Sequence, residues 1–181
     1  MKRAIQPFEN GVVRLRLITE ADLEMTLGWR NRDDVRIWFK NSQIIAWDQH
    51  LAWYSSYSNR DDDFVFIVEA QGQPVGQASV YGIDWAGAVA EVGRFVAAPE
   101  ARGRGYIGLA CAGLLRCCAE ALNLKSVYLE VKEDNDRAIR IYARNGFCEE
   151  AKAGGMIRMS CALNQPLSGG TYASDVSVAG R

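Results

Sequence analysis

Two arginines alternate with two glycines in the segment Arg102-Gly103-Arg104-Gly105, and these residue types at this spacing suit the binding of a phosphate. An apolar, strand-like stretch runs from Glu91 to Pro99, where proline ends it, and a helical pattern follows the glycines. Glycine lets the backbone approach a ligand closely, and the amides and dipole of a helix N-terminus attract negative charge. The segment therefore predicts a phosphate or pyrophosphate cradle, with an ordinary surface turn as the alternative.

A second segment with chemically useful residues runs from Asn135 to Phe147. Asn135 is a favourable helix N-cap, and Ala138 and Tyr142 lie one turn apart on one face of the predicted helix. Asn145-Gly146 supplies a left-handed stop. The pattern predicts a short helix with a tyrosine hydroxyl on one face. Taken alone, such a tyrosine is more often a core residue.

The two segments, in this order, resemble the GCN5-related N-acetyltransferase (GNAT) family over roughly residues 90–147. Family members have an R-x-x-G-x-G/A turn after a strand with an acidic residue, and then N-x-x-A-x-x-x-Y-x-x-x-G-F. This chain departs from the first motif at Ile107, where the family usually has Gly or Ala, and Gly108 follows one position later. A β-branched side chain there is expected to crowd the phosphates. The resemblance implies an N-acetyltransferase with acetyl-CoA as co-substrate.

The resemblance also implies which residues bind the cofactor. Backbone amides from about Arg102 to Ile107 hold the pyrophosphate in this family, the end of the preceding strand pairs with the pantetheine arm, and Asn135 contacts the cofactor as well as capping its helix. The expected cofactor-binding residues are Phe95, Val96, Ala97, Arg102, Gly103, Arg104, Gly105, Tyr106, Ile107, Asn135 and Ala138.

Two catalytic roles follow from the same resemblance. Tyr142 is the expected acid that protonates the leaving thiolate. An ordinary tyrosine pKa near 10 against a thiol near 8.5 makes that transfer uphill by only about 2 kcal/mol. Glu91 occupies the position where several members place the general base. The sequence pattern predicts that this strand is buried, so the charge of Glu91 needs water or a partner nearby. The alternative role for Glu91 is a structural salt bridge.

The acceptor is expected to contact the helices after the first strand. Trp29-Arg-Asn-Arg32, followed by Gln49-His-Leu-Ala-Trp53, is similar to the pattern in N-acetyltransferases of nucleotide-linked amino sugars, as in pseudaminic acid synthesis. Arg30 is then expected to hold a phosphate, and Asn31 and His50 to contact hydroxyls or the base. The alternative for Arg30 is a charged residue at the end of a helix with no role in binding. The alternative for His50 is a polar helix residue whose hydrogen bonds are made within the protein.

Other functions stay open on this pattern. Ribosomal-protein Nα-acetyltransferases and aminoglycoside acetyltransferases have a similar outline. A catalytically silent acetyl-CoA-binding sensor domain belongs to a different class, and the presence of Tyr142 and Glu91 counts against it.

The predicted fold is a single-domain GNAT fold of the α/β class, with a mixed, mostly antiparallel central sheet flanked by helices and splayed strands holding the cofactor. We predict a catalytic domain at residues 1–165 with a loose lead-in at residues 1–11, and a flexible tail at residues 166–181. The expected strands are residues 12–18, 64–69, 75–81, the stretch before Pro99, 126–131 and 156–162, and the expected helices are residues 19–31, 35–39, 47–54, the stretch from the glycine turn to Asn123, and 135–145.

Composition limits the partners. The net charge of −1 over 181 residues argues against a nucleic acid, and no apolar run is long enough for a membrane span. The N-terminus lacks a signal core, so we expect a cytoplasmic protein that acts on a small-molecule amine, with a homodimer as one open oligomeric state. The 5 cysteines show no C-x-x-C spacing and His50 is the only histidine, so no metal is expected. Small buried thiols are the expected state of the cysteines.

Overall fold

Eight strands and five helices follow one another in residues 2–163, which are the residues that this computed structural model describes. The strands are β1 (Phe8–Asn10), β2 (Val13–Leu17), β3 (Asp63–Ala70), β4 (Gln73–Asp84), β5 (Val89–Ala97), β6 (Ser126–Lys132), β7 (Cys148–Ala153) and β8 (Met156–Ala162). The helices are α1 (Leu23–Asn31), α2 (Asp33–Arg36), α3 (Trp47–Ser58), α4 (Tyr106–Glu120) and α5 (Asp136–Arg144). Short 3-10 turns at Glu20–Asp22 and Pro99–Ala101 precede α1 and the glycine segment.

All eight strands form one sheet in the order β1-β2-β3-β4-β5-β6-β8-β7. Every neighbouring pair is antiparallel except β5 and β6, which run parallel. The predicted mixed, mostly antiparallel sheet flanked by helices is thereby confirmed.

The alternation of side chains along β3 divides the core between the two faces of the sheet. Phe64, Phe66 and Val68 belong to the large cluster that also contains the buried side of α4. Val65 and Ile67 point the other way and pack with Leu23 of α1 and with Tyr57 of α3. The helix predicted after the glycine turn is present as α4, and its apolar side is buried, as Cys111, Leu114, Leu115, Cys118 and Leu122 show.

Three segments differ from the sequence expectation. The lead-in at residues 1–11 contains β1, which pairs with β2 across a turn at Gly11. The helical stretch expected at residues 35–39 is the short α2, and Ile37 and Trp38 are exposed after it. Strand β7 was not predicted, because all six of its side chains are exposed and it carries no apolar alternation.

The parallel pair β5 and β6 stays together only at its beginning. Three residues of each strand pair, from Val89 with Ser126 to Glu91 with Tyr128, and the strands then diverge. On its other edge, β5 has a bulge against β4, because Ser79 faces Gly93 whereas Gln77 faces Val96. The divergence opens a gap in the middle of the sheet.

None of the helices in residues 2–163 is long and apolar enough to cross a membrane. All five cysteines lie in this part of the chain as free thiols, and four of them are buried, whereas Cys148 is exposed. The tail predicted at residues 166–181 lies outside the described residues.

Candidate active site

A cleft of about 440 Å³ occupies the gap between β5 and β6. Helices α1 and α2 and the segment at residues 38–41 close one side of the cleft, and α5 closes another. Ten of the residues singled out in the sequence line this cleft: Arg30, Glu91, Phe95, Val96, Ala97, Arg102, Ile107, Asn135, Ala138 and Tyr142.

The glycine segment forms one end of the cleft and an adjoining small cavity, which Gly103, Gly105 and Tyr106 line. Gly103 and Gly105 have φ values of 79° and 78°, a left-handed conformation that favours glycine. Gly105 is the N-cap of α4. Its amide and that of Gly103 donate to no protein acceptor in residues 2–163. The segment therefore presents free amides at a helix N-terminus, as an anion cradle requires.

Ile107 was expected to crowd the cradle. The structure places the end of its side chain against β4, where a Cβ added to Gly76 would lie 3.1 Å from Ile107 Cδ1. A Cβ at Gly76 would lie closer still to the carbonyl oxygen of Val96, at 2.4 Å, so the glycine first of all allows β4 and β5 to approach each other and also leaves room for the larger residue at the start of α4.

The two arginines of the segment have different surroundings. Arg102 makes a 2.5 Å ion pair with Asp34, which also accepts hydrogen bonds from Arg32 at 2.8 and 3.1 Å. Arg32 in turn donates to the carbonyl of Ala97 at the end of β5, at 3.2 Å. Arg104 is exposed and does not line the cleft.

Helix α5 brings Asn135, Ala138 and Tyr142 to the cleft wall. The Asn135 side chain accepts a hydrogen bond from the Ala138 amide at 3.2 Å, so it is the N-cap that the sequence predicted. The Tyr142 ring lies 5.7 Å from that of Phe95 and 5.9 Å from that of Phe147, measured between ring centres. Burial, reinforced slightly by Cys111, raises the pKa of Tyr142 well above its ordinary value. The residue is therefore a neutral hydroxyl donor.

Glu91 reaches the cleft at the point where β5 and β6 separate. Its Oε1 accepts a 2.8 Å hydrogen bond from the hydroxyl of Tyr81, which faces it on β4. Because the side chain is half-buried and open to the cleft, its carboxylate has both a partner and access to solvent.

Arg30 also lines the cleft, at the end of α1. Its guanidinium lies 4.0 Å from the centre of the Phe39 ring and donates through Nη2 to the carbonyl of Asn41. Its Nη1 is buried with no hydrogen-bond partner in the described part of the chain. Burial and the charge of Arg36 lower its pKa, which means that the cation lacks a compensating anion.

Two of the predicted acceptor residues do not reach the cleft. The side chain of Asn31 makes two hydrogen bonds with the backbone of Ile45. Its Nδ2 donates to the carbonyl oxygen at 2.8 Å, and its Oδ1 accepts from the amide at 2.9 Å. His50 is 8% exposed, stacks on Trp53 at 5.1 Å and lies 3.5 Å from Thr26 Oγ1. Burial lowers the pKa of His50, as expected for a neutral core histidine.

Sequence reasoning missed several charged and polar residues of the cleft. They are Arg32, Asp34, Lys40, Tyr81, Arg94, Glu130 and Arg137. For Tyr81 a signal was present, because a hairpin turning at residues 85–88 sets Tyr81 opposite Glu91. Arg32 and Lys40 lie in loops and Arg94 at the bulge of β5, where the geometry has no sequence period. Asp34, Glu130 and Arg137 lie in α2, β6 and α5, and only the tertiary arrangement brings them to the cleft.

Comparisons with known proteins identify the family of the chain. The model of the acetyltransferase (GNAT) domain family matches residues 13–148. Spermidine N(1)-acetyltransferase of Vibrio cholerae is 25% identical over 78% of this chain and 82% of its own length. The enzyme of the same name from Escherichia coli is 28% identical over 77% and 75%.

Solved structures show the same fold. The Vibrio cholerae spermidine N-acetyltransferase in complex with CoA and spermine superposes with a TM-score of 0.78 at 23% identity, covering 85% of this chain and 97% of that one. FdhC, a nucleotide-linked sugar GNAT in its apo form, gives 0.76 at 17% identity, covering 87% and 90%. The chain belongs to the GNAT acetyltransferase family. It is an N-acetyltransferase, and its co-substrate is acetyl-CoA.

Proposed function

We propose that this enzyme acetylates the amine of a nucleotide-linked amino sugar, with residues 1–165 as its catalytic domain. The observation that carries the proposal is Arg30, a partly buried cation with an unpartnered Nη1 in the cleft wall and no acidic partner. An anionic acceptor supplies the missing counter-charge, and a guanidinium is well shaped to bind a phosphate.

The acidic groups of the cleft support an anionic rather than a polycationic acceptor. Asp34 is shared between Arg32 and Arg102, and Glu130 pairs with Lys40 at 2.5 Å. Glu91 is the one lining carboxylate of residues 2–163 without a cationic partner. A polyamine needs acidic groups for its further ammonium groups in addition to a base for the reacting amine.

In the proposed reaction, Glu91 takes a proton from the acceptor ammonium, directly or through a water molecule, and leaves a neutral amine. The amine nitrogen attacks the thioester carbon of acetyl-CoA, and the tetrahedral intermediate collapses with cleavage of the carbon–sulfur bond. Tyr142 donates its proton to the departing thiolate, and the second proton of the amine nitrogen, which the new amide releases, restores the Tyr142 hydroxyl. The glycine segment and Asn135 hold the cofactor so that its thioester lies between these two groups.

A polyamine is the second candidate acceptor, and the matches to spermidine N(1)-acetyltransferases favour it. Those matches are 25–28% identical, so they bear on the chemistry more strongly than on the acceptor.

Acetyl-CoA consumption should be measured with UDP- and TDP-linked 4-amino sugars, spermidine, N-terminal peptides and an aminoglycoside. We expect turnover with a nucleotide-linked sugar. Arg30→Ala should then raise KM for that acceptor about tenfold or more and leave the Kd of acetyl-CoA unchanged. Arg60→Ala removes an exposed arginine paired with Asp62 outside the cleft and is the matched control. Turnover of spermidine with a KM that Arg30→Ala leaves unchanged would reject the proposal in favour of the second candidate.

A further inference from the structure

A row of polar side chains crosses the sheet beside Glu91. Asp63, Tyr81 and Glu91 occupy directly facing positions on the adjacent strands β3, β4 and β5. Facing residues on neighbouring strands place their side chains within contact distance. The register alone therefore aligns a carboxylate, a phenol and a second carboxylate.

Arg94 ties the first two members of this row together. Its Nη1 donates to both carboxylate oxygens of Asp63, at 2.9 and 3.1 Å, and its guanidinium lies 3.9 Å from the centre of the Tyr81 ring. Asp63 is only 2% exposed, so this ion pair is needed to offset the desolvation of its charge. Arg94 has a φ of 52°, which is strained for a residue with a side chain. Such strain persists where surrounding contacts fix it, and here the contacts are Asp63 and Tyr81.

Tyr81, held in place by these contacts, hydrogen-bonds Glu91. Its hydroxyl donates to Glu91 Oε1 at 2.8 Å, and Oε2 has no protein partner in residues 2–163. Burial, followed by the charge of Glu91, raises the pKa of Tyr81 well above its ordinary value, so Tyr81 stays a donor. A Cβ at Gly93 would lie 2.9 Å from the Tyr81 hydroxyl, so the glycine leaves the space that this hydrogen bond requires.

We infer that Tyr81, clamped by the Arg94–Asp63 pair, is a positioning residue that orients the carboxylate of Glu91 toward the acceptor amine. By engaging Oε1, it leaves Oε2 available to the amine or to a bound water. The inference rests on the proposed role of Glu91 as the base and holds for whichever amine is acetylated. Besides Tyr81, the charged or titratable side chains around Glu91 are Lys40, Arg94, Tyr128, Glu130 and Tyr142.

A double-mutant cycle of Tyr81→Phe and Glu91→Gln tests this, with acetyl-CoA and the UDP-linked 4-amino sugar, or with spermidine where that is the amine acetylated. Tyr81→Phe keeps the ring and its stacking on Arg94, so the fold and the KM for acetyl-CoA should be unchanged. We expect kcat to fall about tenfold, the scale of a hydrogen bond to a charged group. The acid limb of the kcat/KM profile should move to higher pH, because the carboxylate loses a donor that favours its charged form.

Tyr128→Phe is the matched control, since Tyr128 faces Glu91 from β6, lies outside the lining of the cleft and makes no side-chain hydrogen bond to Glu91. It should leave kcat and the pH profile near wild type. In the Glu91→Gln background, Tyr81→Phe should cause no further loss. An equal loss in both backgrounds, or an unmoved acid limb, overturns the positioning role while Glu91 remains the base. A Glu91→Gln variant with nearly full activity overturns both.

Discussion

Tyr142 shows how one residue's surroundings limit the chemistry it can do. Its ring packs between those of Phe95 and Phe147, and burial raises its pKa well above that of a free tyrosine. A higher pKa makes proton transfer to a thiolate more uphill than the ordinary value of about 2 kcal/mol suggests. In the proposed mechanism the proton therefore moves as the carbon–sulfur bond breaks and negative charge develops on the sulfur.

Tyr142→Phe tests the role of this hydroxyl. The variant keeps the aromatic packing and removes the donor, so kcat should fall at least about tenfold, since a positioned acid contributes about 10²–10⁴ in rate. The Kd of acetyl-CoA and the melting temperature should stay near wild type. Steady-state kinetics, a cofactor titration and a thermal melt measure the three quantities. Tyr54→Phe, in α3 outside the cleft, controls for loss of a tyrosine hydroxyl, and a drop in kcat no larger than that of this control contradicts the role.

At the scale of single residues, the sequence predicts where a side chain lies when the residues that position it are close to it in sequence. Asn135 and Tyr142 were predicted to share a helix with one capping its start, and both predictions are confirmed, because a helix places residues by its own period. Arg94 was missed, because a bulge between β4 and β5 directs it. His50 lies on the helix expected for it, but tertiary packing turned it toward Thr26 and Trp53 instead of the cleft.

At the scale of elements, the glycine segment connects β5 to α4 through two left-handed residues. Gly105 is the residue whose conformation starts α4 and sets the direction of the free amides. A Cβ at this position would meet no atom within 4 Å, so the backbone conformation alone requires glycine there.

Gly105→Ala should therefore weaken the cradle without steric overlap. A left-handed conformation costs an L-residue about 1–2 kcal/mol, so the melting temperature should fall and the Kd of acetyl-CoA should rise severalfold. Differential scanning calorimetry and a cofactor titration measure the two effects. Gly28→Ala, inside α1 at a glycine with no strained φ and open space around it, is the matched control and should stabilise the fold. An unchanged Kd for Gly105→Ala would contradict the assignment of the cradle.

The elements that the sequence predicted are those with an apolar face packed on the core, which in α5 is only partly buried. Strands β2–β6 and β8 and helices α1, α3, α4 and α5 follow apolar patterns, and their expected positions are confirmed to within a few residues. The edge strands β1 and β7 lack such a pattern. No local sequence pattern predicts the divergence of β5 from β6, because it depends on pairings between strands that are distant in sequence. The expectation of splayed strands came from the resemblance to the family.

At the scale of the whole molecule, the net charge of −1 conceals an uneven distribution. Six cationic side chains line the cleft against three acidic ones. The cations are Arg30, Arg32, Lys40, Arg94, Arg102 and Arg137, and the acids are Asp34, Glu91 and Glu130. A cleft of one predominant sign concentrates ligands of the opposite sign, whatever the total charge of the chain.

This distribution predicts that added salt slows capture of the anionic cofactor. The value of kcat/KM for acetyl-CoA should fall steadily as NaCl rises from about 0.01 to 0.5 M, because the Debye length shrinks from about 30 Å to a few ångströms over that range. Arg137→Gln removes a cation that lines both the cleft and the adjoining cavity, so its salt dependence should be shallower than that of the wild type. Arg60→Ala, outside the cleft, should keep the wild-type slope. Stopped-flow or steady-state rates at constant pH measure these slopes. Equal slopes for all three proteins would mean that the cations of the cleft do not steer the cofactor, and that local contacts at the glycine segment account for its binding.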